Sequence, residues 1–231
     1  CVYTGFGGLS DIVEKIFLDA CGDVCFHHIA DSGLIEDILS EGGVTPLLEK
    51  RLFALFDAAA TTQPDIIVST CSSIGETTRK YAAMHPELRM MSIDEPMARY
   101  AAIHGKKVAV LATLATTVEP SAKLVSRFSA EAGLDVSVVS AVAGGAFDAM
   151  RSGDMAHAAE LVVQTAKAVC SDADIILLAQ ASMANFRQAL HEALGCGVTL
   201  LESPSTCAQY LKTELGCWDA GTFCARIARV E

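Results

Sequence analysis

A cysteine in a polar turn is the residue of this sequence with the clearest chemical potential. Cys71 stands in the stretch Val68–Glu76 (V-S-T-C-S-S-I-G-E), where an apolar run ends in small polar residues. Ser73 and Glu76 have the spacing of a capping box, which predicts that a helix starts there. Unpaired amides at a helix N-terminus favour a thiolate and can hold a carboxylate. We therefore expect Cys71 to be a reactive thiol rather than an inert core cysteine.

Two other turns carry groups that could bind an anion. Tyr3–Ser10 is rich in glycine, which lets the backbone approach a ligand closely, and Ala112–Thr117 is rich in hydroxyls. The first turn lacks the ending of a P-loop and the glycine spacing of a dinucleotide site, so it does not predict nucleotide binding. Both turns suit a small carboxylate. For any single threonine, ordinary turn or capping chemistry is an equally good explanation.

An internal repeat relates these turns to one another. Asp65–Val68 (D-I-I-V) matches Asp174–Leu177 (D-I-I-L) at an offset of 174 − 65 = 109. The same offset pairs Thr4 with Thr113, and Cys71 with Gln180. A repeat of about half the chain predicts two similar lobes related by a pseudo-dyad, although a duplication without shared function would give the same spacing.

The elements that must position these residues alternate between strands and helices. The β-rich runs are Val24–Ile29, Asp65–Ser69, Arg89–Ile93, Val108–Ala112, Val136–Val139, Asp174–Ala179 and Val198–Leu201, with a first strand ending at Thr4. The amphipathic segments include Pro46–Ala60, Glu119–Ala132 and Met155–Val169. This alternation predicts an α/β fold with parallel sheets. Ligands of such sheets bind beyond the carboxyl ends of the strands, so we expect the site in a cleft between the lobes.

Composition and charge exclude several classes of protein. Of the 231 residues, 52% are apolar, so a disordered or fibrous chain is excluded. The net charge of −11, without a run of basic residues, argues against a nucleic-acid partner. Apolar runs are too short for a membrane span, and no signal-peptide pattern is present, so we expect no membrane partner and a cytoplasmic location.

The nine cysteines are expected to be mostly reduced core residues. One cluster has ligand types suited to a metal, namely Cys21, Cys25, His27 and His28. It lacks a second paired-ligand motif, and three of its members lie on an apparent strand whose side chains alternate between faces. We therefore predict no metal site.

The motifs in their order resemble the aspartate/glutamate racemase superfamily, which includes hydantoin racemases, maleate isomerases and arylmalonate decarboxylases. The residues that carry the resemblance are Thr4–Leu9, Asp65–Ser73 and the duplicated Asp174–Gln180. The resemblance covers essentially the whole chain. It implies a cofactor-independent enzyme of two Rossmann-like lobes, with cysteine thiols that move a proton alpha to a carboxylate, and it implies a homo-oligomer.

The sequence departs from this family at three positions. A two-thiol racemase has a cysteine in each lobe, but Gln180 holds the second position, and an amide is not an acid or base at neutral pH. Glutamate racemases have an aspartate where this chain has Tyr3, and a histidine where it has Ser182. Racemisation by two thiols is therefore not predicted. One thiol is sufficient to protonate an enolate after decarboxylation, to add to an activated double bond or to move a proton between neighbouring carbons.

We accordingly predict an N-terminal lobe, residues 1–104, on which part of 205–231 packs back, and a C-terminal lobe, residues 105–231. The predicted function is that of an isomerase acting alpha to the carboxylate of a small acid, with Cys71 as the catalytic residue. The predicted substrate-binding residues are Thr4, Gly5, Ser72, Ser73, Thr113, Thr116, Thr117, Gln180 and Ser182. The alternatives are a decarboxylase and a carboxylate-binding relative without turnover. A thiol redox sensor lacks a resolving cysteine near Cys71.

Overall fold

The structure, a computed structural model, describes residues 1–4, 8–22, 24–170, 172–195 and 197–215. The chain forms two compact units. The first consists of Cys1–Ile93 with Cys207–Glu231, and the second of Asp94–Thr206. No helix within the described ranges is long and apolar enough to cross a membrane.

The first unit contains a four-stranded parallel sheet. Its strands are β1 (Val2–Tyr3), β2 (Ile29–Ala30), β3 (Ile67–Ser69) and β4 (Met90–Ser92), in the order β2-β1-β3-β4. Its helices are α1 (Leu9–Cys21), α2 (Leu34–Ser40), α3 (Pro46–Ala60) and α4 (Gly75–Met84), and the 3₁₀ segment Ser72–Ile74 precedes α4. Helix α3 has the predicted bounds, because Thr45 caps it through Leu48 N and Pro46 fits its first turn.

The second unit repeats this arrangement. Its strands are β5 (Lys107–Ala112), β6 (Ser137–Val142), β7 (Ile175–Leu178) and β8 (Thr199–Glu202), in the order β6-β5-β7-β8. Its helices are α5 (Glu95–His104), α6 (Ala115–Glu131), α7 (Ala146–Ser152), α8 (Met155–Val169) and α9 (Arg187–Leu194), and the 3₁₀ segment Ala181–Phe186 precedes α9. Helix α10 (Ser203–Leu215) begins in this unit and continues in the first.

Each sheet has its own hydrophobic core. In the first unit, successive residues of a strand face opposite sides, so Val2 and Ile67 pack with α2 and α3, while Tyr3 and Val68 pack with α1. The start of the C-terminal segment packs on this second face, through Cys207, Ala208 and Leu211. In the second unit, alternate strand residues such as Ala109, Leu111, Ile176 and Leu178 face α7, α8 and α9.

The predicted α/β class with two parallel sheets is confirmed, and so is the duplication, because strands in the same chain order occupy the same sheet positions. The predicted strand Val24–Ile29 is wrong over most of its length. Only Ile29–Ala30 pairs, since β2 lies at the sheet edge and its neighbour β1 is two residues long. The predicted boundary after residue 104 put α5 in the first lobe, whereas α5 is in the second unit, where Arg99 lies over the Phe128 ring of α6.

Candidate active site

Cys71 lies directly beyond the carboxyl end of β3, in what we call the Cys71 turn (residues 70–75). Thr70 fixes the start of this turn, because its backbone N–H and its hydroxyl both donate to Val2 O at 3.0 Å. Cys71 then has an extended backbone, with φ −123° and ψ 116°, and the 3₁₀ segment follows at once. The thiol is half-buried and packs partly against the first unit's core. The predicted reactive cysteine is therefore at a strand-to-helix junction.

The helical residues after Cys71 begin earlier than the capping box predicted. The first helical turn starts at Ser72, with Cys71 in its N-cap position, and no side chain caps α4. Glu76 is exposed and pairs with Arg79 at 3.6 Å rather than capping the helix. The predicted capping box is thus wrong. Because backbone amides at a helix start have no intrahelical acceptor, the earlier start places Cys71 closer to these donors.

Two buried hydroxyls beneath the Cys71 turn were missed by the sequence analysis. Ser69 and Ser92 end β3 and β4, pair in register, and are at most 1% exposed. Neither hydroxyl has a hydrogen-bond partner among the described residues. A Cβ built on Gly75 would lie 3.6 Å from Ser92 Oγ, so this hydroxyl faces the start of α4. The sequence signal for both hydroxyls was a serine at the end of an otherwise apolar strand.

The other candidates of the first unit have different surroundings. Ser72 is buried and Ser73 half-buried, both within the Cys71 turn. Thr4 is buried at the end of β1, where its carbonyl accepts from Ile35 N at 2.8 Å. Gly5 lies outside the described residues. Asp31, which follows β2, binds Arg51 through both carboxylate oxygens at 2.5 and 2.6 Å, so its charge is already paired.

The cysteine and histidine cluster near residue 25 has separate partners. Cys21 donates to Ala208 O at 3.2 Å, and burial raises the pKa of its thiol. His28 bridges Tyr3 Oη at 3.1 Å and Glu14 Oε2 at 2.8 Å. Within the part of the chain that the structure describes, no three His, Cys, Asp or Glu side chains are grouped so that they could hold a metal ion.

The second unit contains the same turn with different side chains, which we call the Gln180 turn (residues 179–186). Ala179 N donates to Leu111 O at 2.9 Å, as Thr70 N does to Val2 O in the first unit. Gln180 has φ −135° and ψ 136°, and a 3₁₀ segment again follows. Gln180 is therefore the backbone counterpart of Cys71.

Thr113 fixes the Gln180 side chain through two hydrogen bonds. Gln180 Oε1 accepts from Thr113 N at 2.5 Å and from Thr113 Oγ1 at 2.8 Å. A backbone N–H only donates, so the atom that faces Thr113 must be the amide oxygen. Reversing the amide would lose the bond from Thr113 N, with a net value of about 1 kcal/mol, and would place two N–H donors against each other. Nε2 accordingly points away from Thr113 N.

The remaining candidates of the second unit lie at helix starts. Thr116 and Thr117 are in the first turn of α6, whose N-cap residue Leu114 supplies no side-chain bond. Thr117 is buried, and the Thr116 hydroxyl is buried without a partner among the described residues. Ser182 is half-buried in the Gln180 turn, and its carbonyl accepts from Asn185 Nδ2 at 3.3 Å.

A buried carboxylate at the end of β8 was also missed by the sequence analysis. Glu202 is 3% exposed, and its two oxygens accept from Ser205 N at 3.1 and 3.0 Å. Burial raises the pKa of Glu202, while the Ser205 hydrogen bonds and the charge of Arg187 oppose that shift. Ser203 follows at 0% exposure, and no described residue is a partner of its hydroxyl. The only sequence signal was the polar Glu-Ser pair after an apolar strand.

Comparison with known proteins gives a consistent result. The family model described as Asp/Glu/Hydantoin racemase matches residues 24–211. No curated protein sequence matches this chain. Solved structures with a similar fold include a glutamate racemase from Bacillus anthracis, with 17% identity, a TM-score of 0.72, and coverage of 93% of this chain and 80% of that one.

Two other similar structures have different activities in their names. The aspartate racemase of Picrophilus torridus has 12% identity and a TM-score of 0.65, covering 98% of this chain and 96% of that one. The allantoin racemase of Klebsiella pneumoniae has 13% identity and a TM-score of 0.60, covering 93% and 86%. At these identities the likeness concerns the fold.

Proposed function

This chain belongs to the Asp/Glu/hydantoin racemase family, and we propose that it is a cofactor-independent isomerase acting at the carbon alpha to the carboxylate of a small acid. In this proposal Cys71 is the acid/base. Membership in a racemase family supports an isomerase-type activity.

The observation that carries the proposal is the position of Cys71. The thiol follows a strand held by two hydrogen bonds from Thr70, and it stands at the start of a helical turn. A helix N-terminus stabilises negative charge on sulfur, and a thiolate is both a base and a nucleophile. The position also leaves the side chain half-buried, so it is accessible to a small molecule.

The proposed reaction begins when the Cys71 thiolate takes the proton alpha to the carboxylate. The electron pair of the broken C–H bond moves into the carboxylate, which becomes an enediolate with two anionic oxygens. Donors for these oxygens are the amides of the Cys71 turn and the hydroxyls of Thr4, Ser72 and Ser73. In the second unit we propose Thr113, Thr116, Thr117, Gln180 and Ser182 as substrate-binding residues. Returning the proton from the thiol completes the cycle, and no cofactor is required.

A lyase is the second candidate, and Gln180 is the observation that favours it. Decarboxylation produces the enediolate without a base, so a single thiol is sufficient to protonate it. A glutamine at this position is also compatible with a carboxylate-binding relative without turnover.

We further propose a cytoplasmic enzyme, since six described cysteines, among them Cys21, Cys25 and Cys170, are thiols rather than disulfides.

The test is proton NMR in deuterated water on amino acids, hydantoins, hydroxy acids, maleate and substituted malonates. Wild-type protein should exchange the alpha proton of one class or convert it, and Cys71→Ala should lower that rate by about 10²–10⁴-fold. Cys25→Ala is the matched control, because Cys25 is an exposed thiol outside the Cys71 turn. Full activity of Cys71→Ala would exclude the mechanism. Loss of CO₂ from a malonate would establish the lyase, and silence across the panel with ligand shifts still seen would favour the binding protein.

A further inference from the structure

The Gln180 amide is oriented by the protein itself. Thr113 presents two donors, its N–H and its hydroxyl, to the same oxygen, Gln180 Oε1. Rotation of the amide by 180° would place the Thr113 N–H, which can only donate, against the Nε2 hydrogens, so only one orientation is compatible with Thr113. The side chain is thus a donor whose orientation is fixed by the contact of Oε1 with Thr113.

Neighbouring groups at this edge of the sheet have the same hydrogen-bonding character. Thr113 follows β5, Gln180 lies two residues beyond β7, and Ser203 follows β8, and these three strands are adjacent. The Ser203 hydroxyl is completely buried, and no described residue is its partner. Donors in excess of acceptors favour an anionic oxygen as the ligand. Both carboxylate oxygens of the nearby acid, Glu202, already accept a hydrogen bond from Ser205 N.

We infer that Gln180 binds an anionic oxygen of the substrate through Nε2, that Thr113 is its positioning residue, and that the second unit transfers no proton. This inference rests on the proposed function of Cys71. An amide neither gives nor takes a proton at neutral pH, so a single thiol serves one face of the substrate carbon. The Cys71 thiolate takes the proton, and the thiol returns a proton to the same face of that carbon.

The stereochemical course follows from this assignment. Solvent deuterium should replace the alpha hydrogen while the configuration stays unchanged, so the protein should not racemise an amino acid. A productive isomerisation then needs a hydroxy-carbonyl acid, in which the alpha C–H proton moves on the same face to the neighbouring carbonyl carbon. The alpha hydroxyl loses its proton to that carbonyl's oxygen and becomes the new carbonyl. Chiral separation of the exchanged substrate gives the first readout, and formation of both enantiomers by wild-type protein would overturn the inference.

Binding of malonate gives a second readout that does not depend on turnover. In Cys71→Ala protein labelled with ¹⁵N, addition of malonate to about 20 mM should shift one pair of glutamine side-chain N–H signals. That pair is assigned by its absence from the spectra of Gln180→Glu and Gln180→Met. The inference fails if malonate leaves these signals in place, even where Cys71-dependent exchange has established the proposed function. A malonate shift in the Cys71→Ala protein, combined with no exchange by wild-type protein, would instead refute the proposed function.

One Gln180 variant and a matched pair of Thr113 variants separate binding from folding. Gln180→Glu keeps an oxygen for both Thr113 donors but replaces Nε2 with a second carboxylate oxygen, so malonate should bind at least about tenfold more weakly without loss of thermal stability. Thr113→Val loses the hydroxyl donor and should weaken malonate binding about fivefold, whereas Thr113→Ser should restore it. Unchanged binding in Gln180→Glu would overturn the assignment of Gln180, and equal binding in the two Thr113 variants would overturn that of Thr113.

Discussion

Gly105 joins α5 to β5 in a space too small for any side chain, and its replacement gives a sharp test of the second unit's packing. A Cβ at this position would lie 2.7 Å from Val108 Cγ2, 3.0 Å from Ala101 O and 3.2 Å from Ile175 Cδ1. Carbon atoms in contact are normally about 3.5–4.0 Å apart. The Ile175 contact is with the end of a side chain, which can rotate. The other two contacts involve a buried β-branched residue and a backbone oxygen.

The cost of Gly105→Ala follows from these two contacts. Ala101 O accepts from Gly105 N at 2.9 Å, so moving it would disturb the end of α5, and Val108 is 0% exposed and stiff at χ1. Such overpacking costs about 1–3 kcal/mol. Replacing glycine also stabilises by about 0.4–1 kcal/mol through the unfolded chain. Gly144→Ala is the matched control, because no heavy atom lies within 4 Å of its Cβ position.

The unfolded-state contribution cancels between the two variants, so their difference reports the strain alone. We expect Gly105→Ala to be less stable than Gly144→Ala by about 1–3 kcal/mol. With a urea slope of about 3 kcal/mol per M, the midpoints should differ by roughly 0.3–1 M at unchanged slope. Far-ultraviolet circular dichroism measures both midpoints. Equal stability of the two variants would show that the joint between α5 and β5 is not close-packed as described.

Two further predictions concern buried ionisable groups. Burial raises the pKa of Glu202, so the native state retains a proton that the unfolded chain has lost, and the free energy of unfolding should fall as pH rises through the native pKa. Glu202→Gln should remove that part of the pH dependence in urea titrations between pH 4 and 8. An unchanged pH profile in this variant would contradict the argument. Burial and the charge of Asp172 raise the pKa of Cys170 to about 11. At pH 8, iodoacetamide should therefore alkylate the exposed Cys25 at least about tenfold faster than Cys170. Peptide mass spectrometry measures both rates, and equal rates would refute this prediction.

The duplication could be predicted from the sequence because it rests on buried strands. Both copies of the Asp-Ile-Ile motif lead into central strands, β3 and β7, whose residues are all buried, so the two segments keep the same apolar composition. The helices α3 and α8 were likewise predictable to the residue, since each combines a capping residue with an amphipathic pattern. Local pattern was sufficient wherever one element determined its own bounds.

Elements that depend on a distant partner were not predictable. Of the β-rich run Val24–Ile29, only Ile29 pairs in the sheet, because the length of β2 is set by its neighbour β1 and not by its own composition. The buried serines Ser69 and Ser92 lie side by side only because β3 and β4 pair in that register. Their sequence separation of 92 − 69 = 23 residues contains a helix, and no pattern within either strand fixes it.

The replacement of a cysteine by a glutamine illustrates the same limit and gives it a functional meaning. The sequence predicted that Gln180 occupies the counterpart of Cys71, and the equivalent hydrogen bonds from Thr70 N and Ala179 N agree with that alignment. What the amide does there depends on Thr113, which is 67 residues away and becomes its neighbour only through the pairing of β5 with β7. A thiol needs no such partner, whereas an amide presents a defined donor only when its oxygen is held. The Thr113 bonds are therefore the feature that makes the second turn a candidate binding element instead of a remnant of a lost acid/base.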